Sequence, residues 1–416
     1  MSRTRPAATT LAALDRYCAA YRALFPDVRS FEYFTALHVA LLAASSRKSL
    51  PQLANMVRVN PQALHHFVAN GVWSVEGLRA QRLSLLSAAL NRSTFVLRLE
   101  DTGTPKKGET TDYTTQQYMP NLQQEANGIV TIDAYGILGS TTFPLLSRVY
   151  KPQERLKPGD TYKSKTQLAV ELIQEVRKYG FHPRLVVVDS SYGQSGRFIV
   201  ALHQLGLRYV LLIRSLSDAW MLSGQKMRPT RWRPFDRDAA SMSAQLHYIR
   251  ELIFGTRRLV RCYEISSEGV EASPASTWRI VTNQPGPIDR VVGGIAGLRL
   301  AAEYQDKQAR DRLGWGDFRL TDIDAIERWW EIVLSAYTWV SLHSQPFATL
   351  IRMPSRHKEE SVHRARGRLD GGVDESALLA DSVTGSWWQA CDTLQNLCSF
   401  AEIAQSAAGG DSALQE

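Results

Sequence analysis

The chain has 416 residues, of which 44% are hydrophobic and 22% are charged, and its net charge is +8. This composition is typical of a folded globular protein and excludes a fibrous or largely disordered chain. Four scattered cysteines exclude a disulfide framework or a thiolate zinc site and indicate a reducing compartment. No apolar stretch is long enough to span a bilayer and no signal-peptide pattern opens the chain, so we expect a cytoplasmic protein that makes no membrane contact.

Residues 1–92 are predicted to form a helical region that carries much of the surplus positive charge. Residues 1–95 contain eleven Lys and Arg against four Asp and Glu. Two short helices are predicted, at 49–57 and after Asn60, because Asn60 suits an N-cap and Pro61 suits the first helical turn. The pair resembles a helix-turn-helix with DNA as its polyanionic partner, although an ordinary helical hairpin has the same pattern.

Residues 93–214 are predicted to form the first part of an α/β core. The predicted elements are strands at 94–102, 127–136 and 136–150, a helix at 164–180, a buried strand at 184–189, a helix at about 194–205 and a strand at 208–213. Ser164 and Gln167 form a capping-box pattern at the start of the first helix, and Gly180 is placed to end it. Three strands followed by alternating helices and strands indicate a ribonuclease-H-like fold.

The remaining chain is predicted to hold an insertion, the rest of the core and a basic end. Residues 215–292 are predicted to be a mostly β insertion, because short strand-like pieces alternate with turn-rich segments. Helical periodicity returns afterwards, most clearly at 324–342, so 293–348 is assigned to the second part of the core. Residues 349–416 are predicted to be a basic region with a flexible tail, and six Lys and Arg lie within 352–368.

Three acidic residues are candidate metal ligands. Asp101 ends the first predicted strand and Asp189 ends the buried strand, so neighbouring strand ends would bring the two carboxylates together. Adjacent carboxylates repel unless a proton or a divalent cation intervenes, and Mg²⁺ prefers oxygen ligands of this kind. Glu303, on a predicted helix after the insertion, is the best third candidate. Taken singly, each acid has an ordinary alternative as a turn residue, a helix cap or a solvated side chain.

Basic residues flank the three acids in the sequence. They are expected to contact DNA phosphates, and they comprise Lys106, Lys107, Arg299, Lys307 and Arg310. Arg299 and Glu303 are also spaced for an ordinary ion pair along one helix.

Other side chains of the predicted helices are interpreted from their spacing alone. Arg47 and Lys48 are assigned to contact with the DNA backbone. The neighbouring His65 and His66 are interpreted as a feature of a helix surface. Glu327 and Glu331, on the helix at 324–342, are interpreted as carboxylates of its outer face.

Three segments of this chain resemble, in order, the catalytic blocks of bacterial insertion-sequence transposases of the DDE superfamily. The segments read LRLEDTGTPKKG, VVVDSSYG and RLAAEYQDKQAR. More narrowly, they resemble the insertion-sequence-four-like group, in which a β insertion separates the second Asp from the Glu. The resemblance covers about residues 45–345 and implies that Asp101, Asp189 and Glu303 are the metal ligands.

The third block departs from the pattern of that group at two positions. Arg299 and Glu303 fit the pattern, whereas Ala296 stands in place of a tyrosine and Arg310 in place of a lysine. An arginine keeps the positive charge of a phosphate-contacting lysine but has a different shape.

The resemblance implies a DNA transposase that uses two Mg²⁺ ions, for which Mn²⁺ would substitute. Such an enzyme cuts at transposon ends and joins the freed 3′-hydroxyl to target DNA. The implied partners are double-stranded DNA of both kinds, on the nucleoid, and a second copy of the chain in a synaptic homodimer. Two alternatives remain: a non-catalytic DNA-binding protein derived from a transposase, and a ribonuclease-H-like nuclease without strand transfer.

Overall fold

The structure is a computed structural model. It describes residues 12–43, 47–122, 124–139, 141–188, 192, 195–213, 227–235, 247–254, 260–266, 268, 277–286, 312–344, 346–347 and 350.

The N-terminal part of the described chain is helical. Its helices are α1 (Ala12–Ala19), α2 (Val28–Leu42), α3 (Leu50–Met56), α4 (Pro61–Asn70) and α5 (Val75–Leu90), with a short 3₁₀ turn at Arg22–Leu24. Asn60 caps α4 as predicted, because its side chain accepts hydrogen bonds from the N–H groups of Gln62 and Ala63. Pro61 occupies the first position of α4, where a missing N–H removes no helical hydrogen bond.

A mixed sheet with intervening helices follows. In chain order the elements are β1 (Phe95–Pro105), β2 (Thr115–Met119), β3 (Gln124–Leu138), β4 (Thr141–Val149), α6 (Lys165–Lys178), β5 (Pro183–Val188), α7 (Gly196–Gln204), β6 (Tyr209–Ile213), β7 (Met227–Pro229), β8 (Arg233–Phe235), β9 (His247–Phe254), β10 (Arg261–Ser266) and β11 (Thr277–Thr282), with a 3₁₀ turn at Gln153–Arg155. A long helix, α8 (Ile323–Leu342), comes last.

The centre of the sheet has the predicted strand arrangement. β1 pairs antiparallel with β3 and parallel with β5, β3 pairs antiparallel with β4, and β5 pairs parallel with β6. The described strands run in the order β2-β3-β1-β5-β6-β11-β10-β9-β7, with β4 on β3 and β8 on β9. An antiparallel start joined to a parallel finish fits a ribonuclease-H-like domain.

The strands after β6 extend this same sheet. β9, β10 and β11 overlap the strand-like pieces read from the sequence between 215 and 292. β11 pairs antiparallel with β6 through Val210 and Thr282, and β10 and β9 follow outward. The described strands of this range are therefore continuous with the central sheet.

Helix α6 begins and ends as its sequence predicts. The Ser164 hydroxyl accepts a hydrogen bond from the Gln167 N–H, and the Gln167 side chain accepts one from the Ser164 N–H. Gly180 lies just beyond the helix with φ +82°, a left-handed conformation that suits glycine. Leu168, Leu172 and Val176 of α6 are buried against the sheet.

Helix α8 is buried along nearly its whole length, and this corrects one prediction. It contacts α2, α4 and α5 on one side and β4 on another, so its middle has no solvent face. The Glu331 side chain is 3% exposed and binds the guanidinium Nε atoms of Arg82 at 2.6 Å and Arg79 at 3.3 Å. The interpretation of Glu331 as an outer-face carboxylate is wrong, and Glu327 is half-buried, with burial raising the pKa of its carboxyl.

Among the residues described here, no helix is both long enough and apolar enough to cross a membrane.

Candidate active site

Asp101 lies on β1 just beyond the stretch where β1 runs beside β5. Leu99 pairs with Val188, which is the last described pair between these parallel strands. Side chains alternate between faces along a strand, so Asp101 shares a face with Leu97 and Leu99. Those two residues belong to the hydrophobic core formed with α6 and α7. The Asp101 side chain is 1% exposed, so a carboxylate is held within a buried strand, beside the point where β5 ends.

Two side chains hold the Asp101 carboxylate. Lys165, the first residue of α6, donates from Nζ to Oδ2 at 2.9 Å, and the Tyr192 hydroxyl donates to Oδ1. The Lys165 side chain is 27% exposed, whereas Tyr192 is buried. Burial, followed by the negative charge of Asp101, raises the pKa of Tyr192 well above its usual value. Tyr192 therefore remains a neutral donor, and Lys165 supplies the balancing charge from a position near the surface.

Reasoning from the sequence missed both Lys165 and Tyr192. Tyr192 lies within the VVVDSSYG segment, so its position three residues after Asp189 was a usable signal. Lys165 is 64 residues from Asp101 in sequence, and only the packing of α6 on the sheet brings the two together.

The other two predicted carboxylates lie outside the described residues. This applies to Asp189 and Glu303, and also to the predicted phosphate contacts Arg299, Lys307 and Arg310. Within the part of the chain that the structure describes, no group of three or more His, Cys, Asp and Glu side chains is arranged to hold a metal ion. The structure thus describes one member of the predicted triad, and its carboxylate oxygens suit a hard cation such as Mg²⁺.

The opposite face of β1 and β3 carries a separate pair of buried carboxylates. Asp133 pairs in register with Glu100, and Glu100 forms an ion pair with Arg98 at 3.1 Å. Asp133 accepts hydrogen bonds from the hydroxyls of Thr131, at 2.9 Å, and Ser147. Burial raises the pKa of Asp133 to about 7. Strand alternation thus places the two acids of the Glu-Asp-Thr triplet at 100–102 on opposite faces of the sheet.

Comparison with known families identifies the superfamily of this chain. The model of a family described as "DDE superfamily endonuclease" matches residues 23–245, more than half of the chain. The chain belongs to this superfamily. The matched range includes Asp101 and Asp189 and ends before Glu303. Endonucleases of the DDE superfamily use divalent metal ions.

A relative supports the same assignment over most of the chain. The chain is 42% identical over 329 residues to the "Probable transposase for insertion sequence element IS701" of Microchaete diplosiphon. The similarity covers 79% of this chain and 87% of the relative. The expectation that the chain resembles bacterial insertion-sequence transposases of the DDE superfamily is confirmed.

In this DDE endonuclease, the two lysines after Asp101 lie in different surroundings. The Lys106 ammonium lies 3.3 Å from the centre of the Phe318 ring and donates to the Phe318 carbonyl at 3.1 Å. Burial lowers the pKa of Lys106 to about 8. Lys107 is exposed, with its side chain open to solvent. Only Lys107 of this pair presents an unburied charge.

The two predicted DNA contacts at the start of α3 also differ, and one of them is contradicted. Arg47 is exposed. Lys48 is fully buried, its Nζ donates to the Ala43 carbonyl, and its backbone N–H donates to the Asp317 carboxylate at 2.6 Å. The assignment of Lys48 to a DNA contact is therefore wrong, because this segment packs against the turn that precedes α8.

The pair formed by α3 and α4 presents polar residues to solvent. Gln62, His65 and His66 are exposed on α4, while Leu64 and Phe67 are buried in the helical core. The interpretation of the two histidines as a surface feature is confirmed. Arg58 is exposed in the connection between the helices and has φ +52°.

Proposed function

We propose that this chain is a DNA transposase in which Asp101, Asp189 and Glu303 bind two Mg²⁺ ions, with Mn²⁺ able to substitute. The position of Asp101 carries the proposal. Its buried carboxylate lies two residues past the pairing of Leu99 with Val188, and the residue after Val188 is Asp189. Neighbouring strands are about 4.8 Å apart, a spacing at which a carboxylate on β1 and one that follows the last residue of β5 can share one ion.

The surroundings of Asp101 fit a site for a hard cation. The carboxylate already balances one positive charge, the Lys165 ammonium, and the exposed fraction of that side chain leaves it room to withdraw. Bound divalent ions would activate the attacking oxygen and neutralise charge on the scissile phosphate. Tyr192 then keeps the Asp101 carboxylate oriented, and Lys165 turns its ammonium toward the phosphate.

The reaction exchanges phosphodiester bonds and needs no external energy source. Water attacks a phosphodiester at the transposon end, which breaks the P–O bond to the 3′ oxygen and frees a 3′-hydroxyl. The same residues then hold that hydroxyl in line with a phosphodiester of target DNA, where one P–O bond forms as another breaks. Because two ends must be held together, the active complex contains two copies of the chain.

The proposal assigns DNA contacts to exposed basic residues. Lys107 and Arg47 are exposed in the structure and suit contacts with phosphates. The helices α3 and α4 and the basic segment 352–368 are the further contacts with end DNA. Arg299, Lys307 and Arg310 are assigned from the sequence to contacts with phosphates near Glu303. Lys106, which precedes Lys107, is assigned from the sequence to the same contact region.

The proposed domain division follows the sequence. It comprises a helical DNA-binding region at 1–92, the core at 93–214 and 293–348, a β-rich insertion at 215–292 and a basic end at 349–416.

The test is a combined cleavage and joining assay on a labelled duplex that carries the transposon end. We compare wild type, Asp101→Asn and the exposed control Asp324→Asn in Mg²⁺. Wild type and the control should cut and join, whereas Asp101→Asn should bind the duplex and do neither. Normal cutting by Asp101→Asn would contradict the assigned site. Cutting without joining by wild type would favour a nuclease, and binding without cutting a non-catalytic protein.

A further inference from the structure

A group of basic residues lies at the end of the sheet where β1, β5 and β6 begin, away from Asp101. β1, β5 and β6 are parallel and begin at the same end of the sheet. Phe95 of β1 pairs with Pro183 of β5, and β6 begins three residues farther along β5, where Tyr209 pairs with Val186. We call this surface the basal edge, and its basic residues are Arg92, Lys178, His182, Arg184 and Arg208. Four of these side chains are exposed, and Arg184 is half-buried.

The basal edge contains no balancing carboxylate in its own segments. Residues 84–95, 176–184 and 201–208 include no Asp or Glu at all. Within the described residues, none of these five basic side chains forms an ion pair with a carboxylate, while lysines elsewhere do, such as Lys157 with Asp112. The positive charge of this surface is therefore not neutralised by the described residues around it.

Helix ends account for only a small part of this charge. α5, α6 and α7 all end at the basal edge, and cations stabilise the last turn of a helix. Arg177 has this role, because it donates to the Leu205 carbonyl at the end of α7 at 2.9 Å. Arg92, Arg184 and Arg208 lie beyond the last helical turns, and they make no such contact with a carbonyl among the described residues.

A polar cleft opens beside these cations. It has a volume of about 530 Å³ and lies between the ends of α5 and α6 and the start of β1 and β5. Its polar lining is neutral or basic and comprises Ser84, Ser87, Asn91, Arg92, Ser93 and His182. Hydroxyl, amide and guanidinium groups are the side chains that contact DNA phosphates most often.

We propose that the basal edge binds the phosphate backbone of duplex DNA at a place separate from the phosphate being cut. Six residues separate Phe95 from Asp101 along β1, a distance of about 20 Å at the rise of an extended strand. That length corresponds to about six base pairs of duplex. Two strand spacings and the three-residue offset of β6 place the three strand starts within about 14 Å, which allows contact with successive phosphates of one DNA strand. This surface extends the proposed function beyond the metal site and carries no sequence preference.

The test measures binding alone, so it is independent of cleavage. The affinity for a duplex of about 30 base pairs is measured between about 0.05 and 0.3 M salt for wild type and Arg92→Ala/Arg208→Ala. Each lost phosphate contact lowers the slope of log K against log salt by about 0.9, so the double variant should lose about 1.8. At 0.1 M salt this corresponds to about 60-fold weaker binding.

Two matched variants complete the design. Lys157→Ala/Lys163→Ala removes the same charge where each ammonium lies against a carboxylate, and it should keep the wild-type slope. Arg92→Lys/Arg208→Lys keeps the charge and should retain most of the affinity. The proposal is overturned if Arg92→Ala/Arg208→Ala binds the duplex with the same affinity and salt slope as Lys157→Ala/Lys163→Ala. It is also overturned if, with a single strand of the same sequence as a second ligand, the Ala variant loses affinity only for that single strand. Wild type that binds no duplex overturns the proposed function as well.

Discussion

Two buried carboxylates of this protein are balanced in different ways. Glu331 lies between Arg79 and Arg82, whose side chains are 10% and 0% exposed, and Arg82 also donates to the carbonyls of Pro144 and Leu145. Among the described residues, the Asp101 charge is balanced by Lys165 alone, whose side chain is 27% exposed. A carboxylate held between two buried guanidiniums cannot exchange its partners, whereas one that contacts a single, partly exposed ammonium can. The comparison separates a structural carboxylate from one suited to receive a metal ion.

A third buried carboxylate completes the comparison. Asp133 accepts hydrogen bonds from the hydroxyls of Thr131 and Ser147, and Glu100 lies opposite it in register. With hydroxyl donors and a neighbouring acid, burial dominates and raises the pKa of Asp133 to about 7. Among the described residues, this carboxyl is held by hydroxyl groups and not by an ammonium, and in this it differs from Asp101 although both lie on paired strands.

The largest expected effect separates the proposed ligands from other acids. Asp189→Asn and Glu303→Asp should each lower cleavage in Mg²⁺ about a thousandfold, since the metal ions supply several kcal/mol of transition-state stabilisation. Glu303→Asp should recover part of its activity in Mn²⁺, whose geometry is more tolerant. The assay is cleavage of the end-containing duplex. Glu171→Gln, on the exposed face of α6, is the control, and near-normal cutting by Glu303→Asp in Mg²⁺ would place the third ligand elsewhere.

The next effect tests the structural role of Glu331. Glu331→Gln leaves two buried guanidiniums without their counter-charge and should lower the free energy of unfolding by about 3–5 kcal/mol. Asp101→Asn should change it by about 1 kcal/mol, because Lys165 can turn to solvent. Urea unfolding measures both. Equal decreases in the free energy of unfolding of Glu331→Gln and Asp101→Asn would contradict the distinction between the two carboxylates.

A smaller effect concerns the pH dependence of stability at Asp133. Its pKa is about 7 in the folded protein against 3.8 when unfolded, so the folded state binds the extra proton between these values. The free energy of unfolding should therefore fall as pH rises from about 4 to about 7. Asp133→Asn should flatten this part of the profile, as measured by urea unfolding at several pH values. If the free energy of unfolding of Asp133→Asn falls with pH as steeply as that of wild type, groups other than Asp133 cause the pH dependence.

The smallest effect separates Arg47 from Lys48. Arg47→Ala should lower the slope of log K for DNA against log salt by about 0.9, the value for one phosphate contact. Lys48→Ala should leave that slope unchanged and instead reduce stability, since its buried side chain donates to Ala43. Salt-dependent anisotropy and urea unfolding measure the two effects. A smaller slope of log K against log salt in Lys48→Ala than in wild type would show that Lys48 contacts DNA.

Local signals predicted most of the fold. The Ser164–Gln167 capping box, the Asn60 cap and the order of the central strands depend on short-range chemistry and periodicity, and the structure has all three. β2 was not predicted, because Thr115–Met119 is short and mostly polar and is held by pairing with β3. β1 also continues to Pro105, beyond its predicted end at residue 102, because β3 pairs with it over that length.

Contacts between distant residues explain what the sequence could not predict. Lys165 reaches Asp101 across 64 residues, and Asp317 binds the Lys48 backbone across 269. Glu331 was misread because its helix packs on several sides, so its charge is satisfied by Arg82, 249 residues away. Periodicity identifies a helix but does not report how many of its faces are covered.

The central claim is that the Asp101 carboxylate exchanges the Lys165 ammonium for a divalent ion. Calorimetric titration of Mg²⁺ into wild type, Asp101→Asn, Lys165→Ala and the control Asp324→Asn tests it directly. We expect wild type and the control to bind alike, Asp101→Asn to lose binding, and Lys165→Ala to bind more tightly, because no ammonium then competes for Oδ2. Equal Mg²⁺ affinity in wild type and Asp101→Asn would contradict the claim.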